Sequence, residues 1–223
     1  MFRQFLKAAM TDPLSFIRSV TTPQWPPLVP EISLHLATEI VPLWHRTETE
    51  LGREGVPPPY WAFAWAGGQA LARYVLDHAQ QIQGETVLDF GSGSGLVGIA
   101  AAKAGAAHVL AADIDVFSAA AIALNAEDNG VHIEITTDDV IGQAGTWSLI
   151  LIGDMCYERP LAERLTAWLK DRAQAGATVL MGDPGRTYFP TSGVEKCATY
   201  QVPTTRELED REIRETSVYR LSP

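Results

Sequence analysis

Short apolar runs alternate with segments of helical periodicity along most of the chain. Apolar runs bounded by turn residues are typical of buried parallel strands, and apolar residues three to four positions apart indicate helices. The predicted strands are 86–90, 107–112, 132–137, 146–153 and 177–182, and the predicted helices are 69–83, 96–103, 116–129 and 158–172. This alternation predicts an α/β fold built on a doubly wound parallel sheet.

Two further β-type segments, 197–205 and 217–221, follow the last predicted helix. A charged stretch, 206–215, separates them, as expected for two strands that pair antiparallel. Together with the five parallel strands, this pair predicts a doubly wound, Rossmann-like sheet of seven strands with an antiparallel last strand.

The N-terminal part of the chain has a different pattern. Residues 2–10 place apolar side chains on one helical face, and a second helix is predicted for 13–20 with Asp12 as its N-cap. The predicted organisation is an N-terminal helical extension, 1–55, followed by one domain, 56–223.

A glycine-rich turn joins the first predicted strand to the helix after it. Dinucleotide-binding loops have glycine at the first, third and sixth positions, whereas here the sixth position is Leu96 and the glycines are Gly91, Gly93 and Gly95. Asp89 places a carboxylate just before the loop, which disfavours a pyrophosphate and suits a cationic or zwitterionic ligand. S-adenosylmethionine has a sulfonium, an amino-acid end and no phosphate, so it fits this loop.

Acidic residues follow two other predicted strands. Asp113 ends the second strand, where a carboxylate can accept hydrogen bonds from ribose hydroxyls. After the third strand, Asp139 is a candidate acceptor for the exocyclic amine of adenine, and Val140 is a candidate for packing on the ring. Asp138 is chemically an equal candidate for the amine.

Four aromatic residues, Tyr60, Trp61, Phe63 and Trp65, lie within six positions of each other in a segment led by proline. A functional interpretation is a lid over the cofactor, whose aromatic faces attract a sulfonium or an ammonium by about 0.5–2 kcal/mol each. Ordinary packing against the sheet explains the same residues equally well.

Asp154 follows the fourth predicted strand. Because carboxyl ends of strands face the ligand crevice in doubly wound sheets, Asp154 is expected to point toward the transferred methyl group. Its expected role is to capture and orient an acceptor amine, with general-base catalysis as the second interpretation.

Composition narrows the classes of partner. The 223 residues carry a formal net charge of −10 and contain no Lys/Arg-rich run, so nucleic-acid binding is not expected. The acidic surface would suit a basic protein segment or simply keep the protein in solution. Two cysteines without paired spacing predict a reducing, cytoplasmic setting, scattered histidines predict no metal site, and no membrane-spanning segment is expected.

Two segments carry a resemblance to a known family: 58–71, with the sequence PPYWAFAWAGGQAL, and 154–158, with DMCYE. Together with the glycine-rich loop, they resemble the seven-stranded protein-lysine methyltransferases, and within them those acting on the electron transfer flavoprotein β subunit. The resemblance covers residues 28–221. The chain departs from the family pattern at Ala66, where proline is usual, and at Cys156, where an aromatic residue is frequent.

The resemblance implies S-adenosylmethionine as cofactor, the flavoprotein β subunit as protein substrate, and a methyltransferase domain over 56–223. It implies that Trp65 covers the methionine end of the cofactor and that Asp113 holds its ribose. It also implies that Asp154 and Tyr157 line the lysine entrance. The loop residues that it places beneath the cofactor are Asp89, Gly91, Ser92, Gly93 and Gly95.

Other functions stay open at this point. The 154–157 element permits a methyltransferase for another acceptor, such as a ribosomal protein or a small amine. A non-catalytic binding protein on the same fold is a third candidate, although the intact glycines and acids speak against it. Leu96 and Asp89 argue against a nucleotide-dependent oxidoreductase.

Overall fold

The computed structural model describes residues 12–37 and 59–222, which form two sheets flanked by helices. The strands are Thr22–Gln24 (β1), Leu34–Leu36 (β2), Thr86–Phe90 (β3), His108–Ala112 (β4), Glu134–Thr136 (β5), Leu149–Gly153 (β6), Thr178–Asp183 (β7), Val194–Pro203 (β8) and Ile213–Leu221 (β9). The helices are Pro13–Val20 (α1), Ala66–Asp77 (α2), Ala79–Ile82 (α3), Leu96–Lys103 (α4), Val116–Asp128 (α5), Arg159–Gln174 (α6) and Arg206–Glu209 (α7), and Tyr60–Ala62 forms a 3₁₀ turn.

The large sheet has seven strands in the order β5-β4-β3-β6-β7-β9-β8. The first five of these strands are mutually parallel, β9 runs antiparallel to β7, and β8 pairs antiparallel with β9. The strand order reverses direction between β3 and β6, which leaves a crevice at the carboxyl ends of the strands. The predicted fold class, a Rossmann-like seven-stranded sheet with an antiparallel last strand, is confirmed.

The apolar strands bury both faces of this sheet. Side chains alternate between faces, so Val87 packs into a core formed with α2 and α4, while Leu88 packs into a second core formed with α6. Leu71 and Ile99 are among the buried residues of the first core, and Trp168 is among those of the second.

The predicted helix 69–83 is wrong at both ends. Helix α2 begins at Ala66, because Gly67 allows its first turn to approach the sheet closely, as described below. The helix ends at Asp77, since His78 leaves the helical region at φ −116° and ψ 37°, and the short α3 follows. The last strand is also longer than the predicted 217–221, because it begins at Ile213.

The described N-terminal residues pack on the domain. Asp12 caps α1 as predicted, accepting a hydrogen bond from the backbone N–H of Ser15 at 3.2 Å. Ile17 of α1 is buried with Phe117 of α5, and β1 and β2 form an antiparallel pair. The predicted helix 2–10 and the predicted domain boundary between residues 55 and 56 lie outside the described residues.

Within residues 12–37 and 59–222, none of the helices combines the length and apolar character that crossing a membrane requires.

Candidate active site

A cavity of about 530 Å³ opens at the carboxyl ends of β3, β4 and β6. It lies where a doubly wound sheet is expected to bind its ligand. The predicted site residues that line it are Trp65, Asp89, Gly91, Ser92, Gly93, Asp113, Asp139, Val140, Asp154 and Tyr157. The fold therefore brings together residues that are up to 92 positions apart, from Trp65 to Tyr157.

The loop glycines all lie in the left-handed region, with φ of 64° at Gly91, 54° at Gly93 and 83° at Gly95. A Cβ atom at Gly91 would lie 2.3 Å from the Sδ of Met155, so the loop packs directly against the segment that follows β6. Gly95 does not line the cavity and instead forms the N-cap of α4. Gly95 supplies the left-handed turn that starts the helix, and its place in the loop beneath the cofactor stays a prediction.

Asp89 lies beneath the loop and is 2% exposed. Its Oδ2 accepts hydrogen bonds from the hydroxyl of Ser92 at 2.5 Å and from the backbone N–H of Gly98 at 2.8 Å. Burial raises the pKa of Asp89 to about 6, and these two hydrogen bonds oppose that rise. Asp89 therefore ties the loop to the first turn of α4, in addition to placing a carboxyl group at the cavity.

Asp113, at the end of β4, points to the same loop. Its Oδ2 accepts from the backbone N–H of Gly93 at 2.8 Å, and its Oδ1 accepts from that of Asp115 at 3.0 Å. Burial raises the pKa of Asp113, and the two backbone hydrogen bonds oppose the rise. Each carboxylate oxygen has a second lone pair, so the oriented carboxylate can still accept hydrogen bonds from ribose hydroxyls.

Asp138, Asp139 and Val140 line the cavity beyond β5. The Oδ1 of Asp139 accepts from the backbone N–H of Ile141 at 3.0 Å, and its Oδ2 forms an exposed ion pair with Arg164. The hydrogen bond from Arg164 is the main reason that the pKa of Asp139 is lowered. Val140 is 2% exposed and packs in the core below the cavity.

The side chains of the aromatic segment are divided between the core and the cavity. Trp61 is core, 1% exposed and stacked on Phe117 at a centroid distance of 6.5 Å. Tyr60 and Trp65 instead face the cavity, and the indole N–H of Trp65 donates to the backbone oxygen of Tyr60 at 3.0 Å. Tyr157 completes this aromatic wall, with its ring centroid 5.6 Å from that of Tyr60. Burial is the main factor that raises the pKa of Tyr157, to about 12, so its hydroxyl stays protonated at neutral pH.

Asp154 has an uncommon backbone conformation for a residue other than glycine, with φ of 58°. Its backbone N–H donates to the oxygen of Gly182 at 3.0 Å, and its Oδ2 accepts from the backbone N–H of Gly68 at 3.0 Å. The carboxyl group is buried, which raises its pKa to about 6. The turn after β6 thus directs Asp154 back over the first turn of α2.

Arg186 and Glu209 belong to this site, although the sequence analysis did not select them. The guanidinium of Arg186 donates to Oδ1 of Asp154 and to both carboxylate oxygens of Glu209. It also lies over the ring of Trp65, with Cζ 5.7 Å from the centroid. The position of Arg186 just after β7 was a usable signal, because residues after parallel strands reach the crevice. For Glu209, in the connection between the last two strands, no sequence signal existed.

The two departures from the family pattern have different consequences. Cys156 is 1% exposed, packs in the core on the α6 side and does not line the cavity. The side chains of Met155 and Tyr157 line the cavity on either side of it in sequence. Ala66 is the first residue of α2, a position at which proline and alanine are both compatible with a helix.

Comparisons with known proteins find methyltransferases. The family model for the ribosomal protein L11 methyltransferase (PrmA) matches residues 69–151. The electron transfer flavoprotein beta subunit lysine methyltransferase of Xenopus laevis is 39% identical over 224 residues, covering 97% of this chain and 90% of the relative. Its Homo sapiens counterpart is 36% identical over 206 residues, covering 88% and 76%.

Among solved structures, magnesium protoporphyrin IX methyltransferase from Synechocystis with bound SAM superimposes with a TM-score of 0.52 at 17% identity, covering 70% of this chain and 80% of that one. A likeness at this identity shows the fold.

The fold, the glycine-rich loop and the acids at the strand ends define a Rossmann-like methyltransferase. The sequence identity to the curated relatives, which extends over most of the chain, shows a more specific family. The chain belongs to the family of electron transfer flavoprotein β subunit lysine methyltransferases.

Proposed function

We propose that this protein transfers methyl groups from S-adenosylmethionine to lysine side chains of the electron transfer flavoprotein β subunit. The observation that carries the proposal is one cavity lined by two sets of residues. The glycine-rich loop and Asp113 form the cofactor end of this proposal, and Asp154 and an aromatic wall form its acceptor end. The relatives are named for this activity and this substrate.

The residues of the cavity fit the cofactor. The loop between β3 and α4 has only glycine where the backbone turns left-handed, so it can approach a ligand closely. Asp113 is oriented by two backbone N–H groups and offers its remaining lone pairs to ribose hydroxyls. Trp65 covers the methionine end in this proposal. When bound, S-adenosylmethionine supplies a methyl group activated on a sulfonium.

The acceptor lysine must lose its proton to act as a nucleophile. Its pKa in water is about 10.4, and desolvation lowers that value. The aromatic wall formed by Tyr60, Trp65 and Tyr157 provides such desolvation. We propose that Asp154 captures and orients the lysine, with the proton leaving to water. General-base catalysis by Asp154 is the second proposal.

The direct test combines the purified protein with labelled S-adenosylmethionine and its own organism's flavoprotein β subunit, followed by mass spectrometry of the product peptides. We expect methyl-lysine on the β subunit. A parallel reaction uses an extract from cells lacking the gene. Label on a ribosomal protein or a small amine, with the β subunit unlabelled, would contradict the proposed substrate. The PrmA match makes the ribosomal protein the second candidate, although that match ends before Asp154.

Replacing Asp113 by asparagine is expected to weaken cofactor binding about 10- to 100-fold, because hydrogen bonds to charged groups contribute about 1.5–3 kcal/mol. Asparagine also has one acceptor oxygen, whereas both oxygens of Asp113 accept backbone N–H groups. Titration calorimetry with S-adenosylhomocysteine measures the change. The control is Asp171→Asn on the exposed face of α6, which should bind like the unaltered protein. Equal affinities for both variants would contradict the ribose role.

A pair of variants distinguishes the two adenine candidates. We propose that Asp139, held by Ile141 and Arg164, accepts from the exocyclic amine, so Asp139→Asn should weaken cofactor binding about five-fold, the value of one hydrogen bond. Asp138→Asn should have little effect. The loss should vanish with an analogue of S-adenosylhomocysteine that lacks the 6-amino group. The reverse pattern would assign the amine to Asp138.

The predictions of a cytoplasmic location, of no nucleic-acid partner and of one methyltransferase domain over 56–223 remain part of this proposal.

A further inference from the structure

Arg186 lies at the acceptor end of the cavity and is held there from two sides. Its Nε and Nη2 donate to Oδ1 of Asp154 at 3.0 and 2.7 Å. Its Nη1 and Nη2 donate to the two carboxylate oxygens of Glu209 at 3.0 and 2.6 Å. One guanidinium therefore joins a residue after β6 to a residue after β8.

The backbone of Arg186 is also fixed. Asp183, at the end of β7, accepts hydrogen bonds from the backbone N–H groups of Gly185 and Arg186, both at 2.7 Å. The side chain of Glu209 is 1% exposed. If Arg186 swung out of the cavity, Glu209 and Asp154 would lose their cationic partner while still buried, which is strongly unfavourable. Arg186 is therefore a resident part of the site, present when an acceptor enters.

Asp154 depends on this partner. Its left-handed backbone, with φ of 58°, is costly for a residue other than glycine and persists only where the surroundings hold it. Gly68 holds one carboxylate oxygen and Arg186 holds the other. Arg186 thus determines where the carboxylate of Asp154 points.

We propose that Arg186 and Glu209 form a positioning pair, in which Glu209 fixes Arg186, and Arg186 fixes the carboxylate of Asp154 toward the acceptor lysine. The role of Asp154 in this inference rests on the proposed lysine methylation. The contacts among Asp154, Arg186 and Glu209 do not depend on that proposal. Neither residue of the pair needs to touch the reacting atoms. Both act through Asp154.

The charges around Asp154 give the pair a signature that simple structural support lacks. Burial is the main factor that raises the pKa of Asp154, to about 6, and the neighbouring carboxylates of Glu209 and Asp183 add to the rise, whereas Arg186 opposes it. Asp154 also acts electrostatically on Cys156, whose pKa is raised to about 12, mainly by burial, so that Cys156 is uncharged at neutral pH. Removing the cation should raise the pKa of Asp154, and removing the charge of Glu209 should lower it.

The first measurement is made on the free protein. Carboxyl groups of aspartate are labelled with ¹³C, and the signal of Asp154 is identified by its loss in Asp154→Asn. We expect its titration midpoint to move to higher pH in Arg186→Gln and to lower pH in Glu209→Gln. The matched controls are Arg206→Gln and Glu212→Gln. Arg206 and Glu212 form an ion pair at the same short helix, and their side chains are 75% and 72% exposed. Neither should move the midpoint.

The second measurement is kcat for methyl transfer. We expect Arg186→Gln to lower kcat about 30-fold and Arg186→Lys about five-fold. Lysine keeps the positive charge but lacks the planar guanidinium that donates to both carboxylates at once. In the Asp154→Asn background, Arg186→Gln should cost less than about three-fold, because residues that act through one group are not additive. The affinity for the cofactor should stay within about two-fold in all of these variants, which is the precision with which the effects of independent substitutions add.

The outcomes separate the two proposals. Additive losses of kcat, or an Asp154 titration that is the same in Arg186→Gln and Glu209→Gln, would overturn the positioning pair. If the unaltered protein methylates no lysine, the proposed function fails, and the titration alone decides whether the pair controls Asp154. If Arg186→Gln does not fold, as its melting curve would reveal, Arg186→Lys and Glu209→Gln decide by the same measurements.

Discussion

Replacing Asp154 by asparagine is expected to lower the rate of methyl transfer at least about 100-fold, because misorientation of a bound group by a small distance has an effect of that size. Asparagine has nearly the same shape and tolerates the left-handed backbone, whereas alanine would add strain at a φ of 58°. The change removes the negative charge that we propose attracts the lysine ammonium, and it leaves one acceptor oxygen where Arg186 and the N–H of Gly68 now bind two. Single-turnover rates with the β subunit measure the loss.

The chain offers a matched control for this variant. Asp210 has φ of 59°, nearly the same backbone conformation, and lies outside the cavity lining. We expect Asp210→Asn to transfer methyl groups at the rate of the unaltered protein. Cofactor affinity should change less than about three-fold in both variants, because Asp154 lies at the acceptor end. A normal rate in Asp154→Asn would exclude Asp154 from the capture of the acceptor.

Replacing Gly67 by alanine is expected to lower the melting temperature by about 2–12 °C. The added Cβ would lie 2.3 Å from the backbone oxygen of Gly182 and 2.5 Å from Oδ2 of Asp154. A Cβ at Gly182 would in turn lie 2.2 Å from the oxygen of Gly67, so helix and sheet touch backbone to backbone here. Overpacking of this kind costs about 1–3 kcal/mol, and each kcal/mol corresponds to about 2–4 °C in a domain of this size.

The neighbouring glycine is the control for this prediction. A Cβ at Gly68 would meet no atom within 4 Å, although it lies in the same helical turn. Gly68→Ala should therefore keep the melting temperature or raise it slightly, since alanine is favoured over glycine in a helix by about 1 kcal/mol. Equal melting temperatures of the two variants by calorimetry would show that α2 moves away from the sheet without cost.

These two glycine positions also bear on catalysis. A Cβ atom added to Gly67 would lie within 3 Å of the carboxyl group of Asp154, and the backbone N–H of Gly68 donates a hydrogen bond to that group. We therefore expect Gly67→Ala to reduce methyl transfer in the fraction of protein that remains folded. Helix α2 thus packs against the sheet and also forms one wall of the proposed acceptor end.

The sequence by itself determined the proposed cofactor half of the site. Strand β3, the glycines of the loop, α4 and Asp113 lie within 28 consecutive positions, so local rules for strands, turns and helix starts were sufficient. The same rules located Asp154 at the end of β6. For Gly95 they identified the turn, but a positive φ does not tell which side of the turn faces a ligand.

Only the tertiary structure decided the proposed acceptor half. Arg186 reaches Asp154 across 32 positions, and Glu209 reaches Arg186 across 23, through contacts between the ends of three different strands. Which aromatic side chain enters the core and which faces the cavity also depends on neighbours such as Phe117 that are distant in sequence. Hydrogen bonds and packing between distant segments have no periodicity along the chain. The position of Arg186 after a parallel strand could have indicated that it reaches the crevice, but no pattern of residues could have revealed its partners.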